Sequence, residues 1–179
     1  MLPSTPADSV AYLRSIGALT GRTAEAEAAA ERFLTRLEAY KAQSPKDKIV
    51  AIVFAGAYGF NVDTTDSVYG AMLAEVTSYP WPSLSSDSFV AYSVEQVLAE
   101  DPDVIFGVTM NDKGLMGDSL NTMMANDPLW AEFSAVQNGQ VFDKDPLVWT
   151  YGRGTRSLGI VLDEVMTTAY PEVFPQPLP

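Results

Sequence analysis

Apolar positions along this chain follow two regimes. Through the first 45 residues they recur at helical spacing. Beyond that point short continuous apolar runs alternate with further helical stretches. Thr5-Pro6-Ala7-Asp8 reads as a helix start: Thr5 suits the N-cap, Pro6 the first helical position and Asp8 the positive end of the dipole. Val10, Leu13 and Ile16 continue it as a buried stripe, which Gly17 and "TGRT" at 20–23 interrupt. Thr23 suits the cap of a second, alanine-rich helix, "AEAEAAAERFLTRLEAYKAQ", with Phe33, Leu37 and Tyr40 on its apolar face and Ser44-Pro45 at its end.

The first strand is predicted at Ile49 to Phe54, followed by the glycine- and aromatic-rich loop "AGAYGFN". "DSVYGAMLAEV" reads as a helix capped by Asp66 or Ser67. The proline- and serine-rich "SYPWPSLSSDSF" has room for one short strand. In "SVEQVLAEDPDVIFGV", Ser93 caps a helix and Val94, Val97 and Leu98 share one face. Asp101-Pro102-Asp103 stops it, and the apolar run from Val104 to Val108 is a buried parallel strand. Two short helices follow, the second started by Pro128, then a short strand in "GQVFDKD" after the Asn138-Gly139 turn. A helix runs from near Gly154 to just before Pro171, and the proline-rich tail "PEVFPQPLP" is expected to pack loosely. The alternation predicts an α/β fold with a mainly parallel sheet. In such sheets ligands sit at the carboxyl ends of the strands, here the loops 55–62, 109–117 and 144–153.

Composition narrows the function. A chain of 179 residues with 47% hydrophobic and 19% charged residues suits one domain with a real core. Its 23 acidic and 11 basic residues give a formal charge of −12, which repels nucleic acid and anionic membranes. The absence of cysteine excludes disulfides and thiolate metal sites, and the absence of histidine removes the commonest general base and metal ligand. No apolar run reaches the roughly 18 residues of a membrane span. "MLPSTPADSV" lacks the regions of a signal peptide, so an extracytoplasmic protein would need an export segment beyond this chain.

Candidate chemistry is sparse. "GRGTRS" at 152–157 does not open a βαβ unit as a dinucleotide loop would. It reads either as a flexible helix N-terminus or as an anion site flanked by Arg153 and Arg156. Trp149 and Tyr151 precede it, and strand alternation points both to one side, as core or as ligand wall. Tyr58 and Phe60 sit among glycines, where packing demands little. Glu95 lies in a first helical turn and compensates the dipole, while Glu25 with Glu27 and Asp101 with Asp103 read as solvated pairs. No G-x-S-x-G, P-loop or H-E-x-x-H is present, so no catalytic group stands out. A nucleotide-using Rossmann-like enzyme domain and an interaction-only lobe without ligand are the alternatives to a binding protein.

The segments "IGALTGRTAEAEAAAERFLTRL", "SVEQVLAEDPDVIF", "DPLWAEFSAVQNGQVFDKD", "VWTYGRGTRSLGIVLDEV" and "YPEVF", in this order, resemble the C-terminal lobe of the ABC-transporter substrate-binding proteins for iron–siderophores, haem and cobalamin. The resemblance implies a non-enzymatic transport protein with two α/β lobes joined by a long helix. Residues 1–45 would then hold that interlobe helix and 46–179 a Rossmann-like C-terminal lobe, with the N-terminal lobe and a lipoprotein signal upstream of this chain. It implies a ligand wall on the loop Ala55–Val62, which carries Tyr58, Phe60 and Asn61, and on Trp149, Tyr151 and Arg153. It also implies that Glu95 docks into arginine pockets of the membrane permease, where a carboxylate–guanidinium pair is directional. The expected ligand is a ferric siderophore whose chelator holds the metal, with no resident cofactor. Haem would need a tyrosine ligand here, and cobalamin would not need the arginines. The complete protein is expected in the periplasm or at the cell surface, held to the membrane only through a lipid anchor outside this chain.

Overall fold

Two of the apolar runs form the centre of a four-stranded sheet. The computed structural model describes residues 3–56, 59–84 and 91–179. Within it β1 (Val50–Gly56) and β3 (Val104–Met110) pair in parallel, from Val50 opposite Val104 to Gly56 opposite Met110. Val50, Ala51, Ile52, Val53, Ile105 and Phe106 are fully buried, so these strands need no polar alternation. β4 (Val141–Asp143) joins β3 in parallel, and the order is β2-β1-β3-β4. β2 corrects the expectation of a loop over all of 55–62. Gly59 takes a φ of +85°, and Gly59–Val62 turns back to pair antiparallel with β1. Four residues with a single apolar alternation carry too little periodicity to declare a strand. Among the described residues the proline-rich connection adds one bridge, Ser78 to Ile49, rather than a strand.

The first helices meet the expectation in part. In α1 (Pro6–Thr20), Thr5 Oγ1 accepts the Asp8 N–H at 3.1 Å and the Asp8 carboxylate accepts the Thr5 N–H at 3.0 Å, a complete capping box. The predicted break at Gly17 does not occur; the helix runs on to Thr20. A Cβ at Gly17 would collide with the Ala26 Cβ, so the glycine lets α1 touch α2 (Thr23–Gln43). Because contact runs through Gly17 and Ala26, Val10 is buried but Ile16 turns outward and is 41% exposed. Thr23 is the first residue of α2 rather than its cap; Arg22 precedes it without a side-chain bond. Phe33, Leu37 and Tyr40 are buried along α2, as their spacing predicts.

α3 (Val68–Leu73) is capped by Ser67, and α4 (Val94–Glu100) by Ser93. Of the carboxylates read as solvated, Glu25 is exposed and meets, among the described residues, only Arg22 at 3.8 Å, while the other three are hydrogen-bonded. Asp101 ends α4 at φ +43° and accepts the Ser134 N–H at 2.8 Å. Asp103 accepts the Ile49 N–H at 2.8 Å, and Glu27 accepts the Arg14 Nε–H at 2.8 Å. α5 (Leu120–Met124) follows β3. The helix expected from Pro128 is split into a 3-10 turn at Trp130–Glu132 and α6 (Ser134–Gln137), because Phe133 is extended and fully buried between them. α7 (Pro146–Trp149) and α8 (Thr155–Ala169) complete the chain.

Arg36 and Tyr40 fasten α2 to α8. The Tyr40 hydroxyl donates to Asp163 at 2.9 Å and accepts the Leu178 N–H at 3.0 Å, while Arg36 Nη1 lies 2.8 Å from the same carboxylate. Burial pushes the Tyr40 phenol up to about 12. The tail is therefore docked, contrary to the expectation that it packs loosely: Phe174 is 1% exposed and meets the Tyr40 ring edge-on at 5.0 Å. Phe174→Ala is expected to cost about 3–5 kcal/mol, as for other buried aromatic truncations. Urea denaturation measures it; a loss below about 1 kcal/mol would mean that the tail only drapes over the surface.

Candidate ligand cleft

β1, β3 and β4 run the same way, so their carboxyl ends share one edge of the sheet. A cleft of about 680 Å³ opens there, within the ~300–1,000 Å³ typical of small-molecule sites. Its walls are the β1–β2 hairpin with Phe60 and Asn61, the loop after β3 with Met110 and Asp112, and the segment after α7. Among the residues singled out from the sequence, Phe60, Asn61, Trp149, Tyr151 and Arg153 all line this cleft. Tyr58 lies outside the described residues.

Trp149 and Tyr151 both line the cleft, but not through strand alternation. Asp145 caps α7 by accepting the Leu147 N–H at 2.9 Å, and Pro146 occupies its first turn, so Trp149 ends a helix rather than a strand. Trp149 is 1% exposed and stacks on Phe106 of β3 at 5.0 Å between centroids. It is the floor of the cleft and part of the core at once. Lys144 Nζ lies 5.5 Å from both ring centroids, within cation–π range. Tyr151 is 57% exposed, with its hydroxyl 3.6 Å from Met110 Sδ. The Arg153 carbonyl accepts the Ser9 hydroxyl at 2.8 Å, which ties this loop to α1. Its guanidinium makes no ion pair within 4.0 Å among the described residues.

Three further groups shape the cleft and were not singled out from the sequence. Asp63 lines it yet is 8% exposed; its carboxylate accepts the Ser67 hydroxyl. Burial pushes the Asp63 carboxyl up to about 6, against the Ser67 hydroxyl, the Gly70 N–H and the Arg153 charge, which all favour the ionised form. The Tyr69 hydroxyl reaches the Val148 carbonyl at 2.6 Å and also the Gly152 carbonyl, pinning both sides of the Trp149–Tyr151 segment to α3. Asn111 is absorbed by its own loop: its Oδ1 accepts the Lys113 N–H at 2.9 Å and the Leu115 N–H at 3.2 Å, and its Nδ2 donates to the Met116 carbonyl at 3.2 Å. In "DTTDS" every polar residue suits a turn or cap, so the sequence does not say which one is buried.

Glu95 is exposed in the first turn of α4 and does not line the cleft, although Ala91 does. Capping is done by its neighbour: Ser93 Oγ accepts the Gln96 N–H at 3.3 Å, and Gln96 Oε1 accepts the Ser93 N–H at 2.9 Å. Its own backbone N–H and the Ser93 hydroxyl hold the Glu95 carboxyl below the usual range, so it stays charged. "GRGTRS" begins after α7 and leads into α8 behind Gly154, which gives no side-chain cap. It lacks the strand–turn–helix setting that a dinucleotide loop requires. Among the described residues no helix is long and apolar enough to cross a membrane.

Comparison with known proteins agrees with this architecture. A family model described as "Periplasmic binding protein" matches residues 3–147. The chain is 32% identical over 132 residues to the Fe(3+)-citrate-binding protein YfmC of Bacillus subtilis, covering 73% of this chain and 40% of that one. It is 26% identical over 150 residues to the Fe(3+) dicitrate-binding periplasmic protein FecB of Escherichia coli, covering 84% and 48%. The chain thus spans less than half the length of these two relatives. Its fold superimposes on a periplasmic heme binding protein from Pseudomonas aeruginosa with a TM-score of 0.73 at 20% identity, covering 98% of this chain and 63% of that one. The family model spans most of the sequence, from α1 to the start of α7, and on that ground the chain belongs to the periplasmic binding protein family, whose members are transport components rather than enzymes.

Proposed function

We propose that this chain supplies one wall of the substrate site of an ABC importer for an iron chelate, working outside the cytoplasm. The observation that carries this is the cleft itself. It lies at the carboxyl edge of the sheet, carries aromatic surface and one guanidinium among its described lining, and sits in a chain two of whose relatives are named for ferric citrate. Aromatic faces suit the carbon framework of a chelator. In this reading the iron stays in its chelator. In this reading 46–179 is one lobe and α2 the connecting helix.

Good sites bury about 70–90% of a ligand, and one wall covers only part of that surface. Equilibrium dialysis with radioactive ferric chelates is therefore expected to show binding in the micromolar range or weaker. Binding confined to iron-free chelators, or none at all, would remove the iron-chelate reading.

Within the cleft, exposure separates ligand contacts from core. Tyr151→Ala and Arg153→Ala are expected to weaken chelate binding severalfold with a melting temperature near that of the native chain. Trp149→Ala is expected to cost about 3–5 kcal/mol of stability as a buried aromatic. Equal losses of stability in all three would make this loop structural throughout.

We further propose that Glu95 is the contact to the permease. Its charge is kept, its side chain is exposed, and Gln96 leaves it free of the capping task. In an uptake assay with the permease present, Glu95→Arg is expected to abolish transport while chelate affinity stays within about twofold, since surface changes away from a site are near-neutral. Transport at the native rate would remove the docking role.

A further inference from the structure

Several polar groups of the cleft are spent on the protein itself. Ser67 is bonded to Asp63, Tyr69 to two backbone carbonyls, and Asn111 to its own loop. What remains for a ligand, among the described lining residues, is the Arg153 guanidinium, the Asn61 carboxamide, the Asp112 carboxylate, the Thr150 hydroxyl, which has no partner, and the Tyr151 hydroxyl, which meets only Met110 Sδ. The charges do not favour an anion: Asp63 and Asp112 stand against Arg153 as the one cation of the described lining. Asp63 is the decisive member, because a buried charge is screened least by solvent.

Resting on the iron-chelate reading, we propose that Asp63 is a specificity-determining residue that offsets Arg153, so that this cleft prefers a ferric chelate without net negative charge, of the trihydroxamate class, over polyanionic ferric dicitrate. The free carboxylates of dicitrate would meet one guanidinium already compensated from below. A neutral trihydroxamate presents carbon-rich arms and few unpaired polar atoms, which matches Phe54, Phe60, Trp149 and Tyr151. The titratable and charged groups facing the Asp63 carboxyl are Arg153 from the loop after α7, Tyr69 from α3 and Tyr79 beyond it. Burial raises both phenols, which stay neutral, so Asp63 is the member of this group that changes charge near neutrality. The sign follows from linkage. An anion bound nearby raises the proton affinity of Asp63, and protonation in turn raises the affinity for the anion. Discrimination is therefore full only above the raised, anion-bound value, shrinks as the pH falls below it, and is lost below about 6.

The test is equilibrium dialysis of the chain with ferric dicitrate and with a neutral cyclic ferric trihydroxamate, in the native protein and in Asp63→Asn. At pH 8 the trihydroxamate is expected to bind at least about tenfold more tightly, equivalent to one pKa unit of coupling between ligand charge and Asp63. Asp63→Asn, shown to be folded by its circular dichroism, is expected to tighten dicitrate about tenfold and leave the trihydroxamate unchanged. In the native chain the preference is expected to shrink between pH 8 and pH 5 by more than in Asp63→Asn, which corrects for the protonation of citrate itself. If the variant does not fold, the pH series is compared with Arg153→Gln, in which the preference should widen. Dicitrate binding as tightly as the trihydroxamate at pH 8, or a preference that Asp63→Asn leaves intact, overturns the charge filter while leaving the iron-chelate reading in place. Failure of both chelates to bind overturns that reading and the filter with it.

Discussion

Everything in this molecule is placed by the parallel pairing of β1 with β3. Parallel strands need a crossover, and the crossover between these two carries the β2 hairpin, α3 and α4. Because both strands run the same way, their carboxyl ends share one edge, and β4 lies parallel beside β3. The cleft is the space left at that edge. The stack of Trp149 on Phe106 carries the core up to its floor, so core and cleft wall meet in a single indole ring.

Much of this was legible in the sequence. The runs at 49–54 and 104–108 announced buried strands because nothing polar interrupts them, and the cap at Thr5 and the stripe Phe33, Leu37, Tyr40 were read from spacing alone. What escaped depends on contacts far apart in sequence. Gly17 looks like a helix breaker until Ala26 is seen against it. The tail looks loose until Phe174 meets Tyr40. Alternation reads the segment of Trp149 and Tyr151 as extended, whereas Pro146 and Asp145 start a helical turn there. The wall residues themselves were within reach as aromatics and an arginine near the last helix. Asp63 was not, since a buried carboxylate and a capping one look alike in a run of small polar residues.

The electrostatics give the family membership a more specific meaning. A periplasmic binding protein fold sets where a ligand lies, while the groups left unbonded decide what it can be. In this cleft the Ser67 and Tyr69 hydroxyls and the Asn111 amide are consumed by the protein around them. That hardens the walls and leaves shape and net charge as the main discriminants. The acidic balance of the chain, −12 overall, extends this bias beyond the cleft, since every approaching anion meets a surface of its own sign.

The Tyr69 phenol has one proton and two carbonyls to serve, Val148 on one side of Trp149 and Gly152 on the other. At any instant one of them is satisfied by the phenol and the other keeps a lone pair open. Exchange between the two requires no more than a rotation about the C–O bond. The segment bearing Tyr151 is thus held by a swivelling pin rather than a rivet: it can shift between two seatings without ever being released from the helix beneath it.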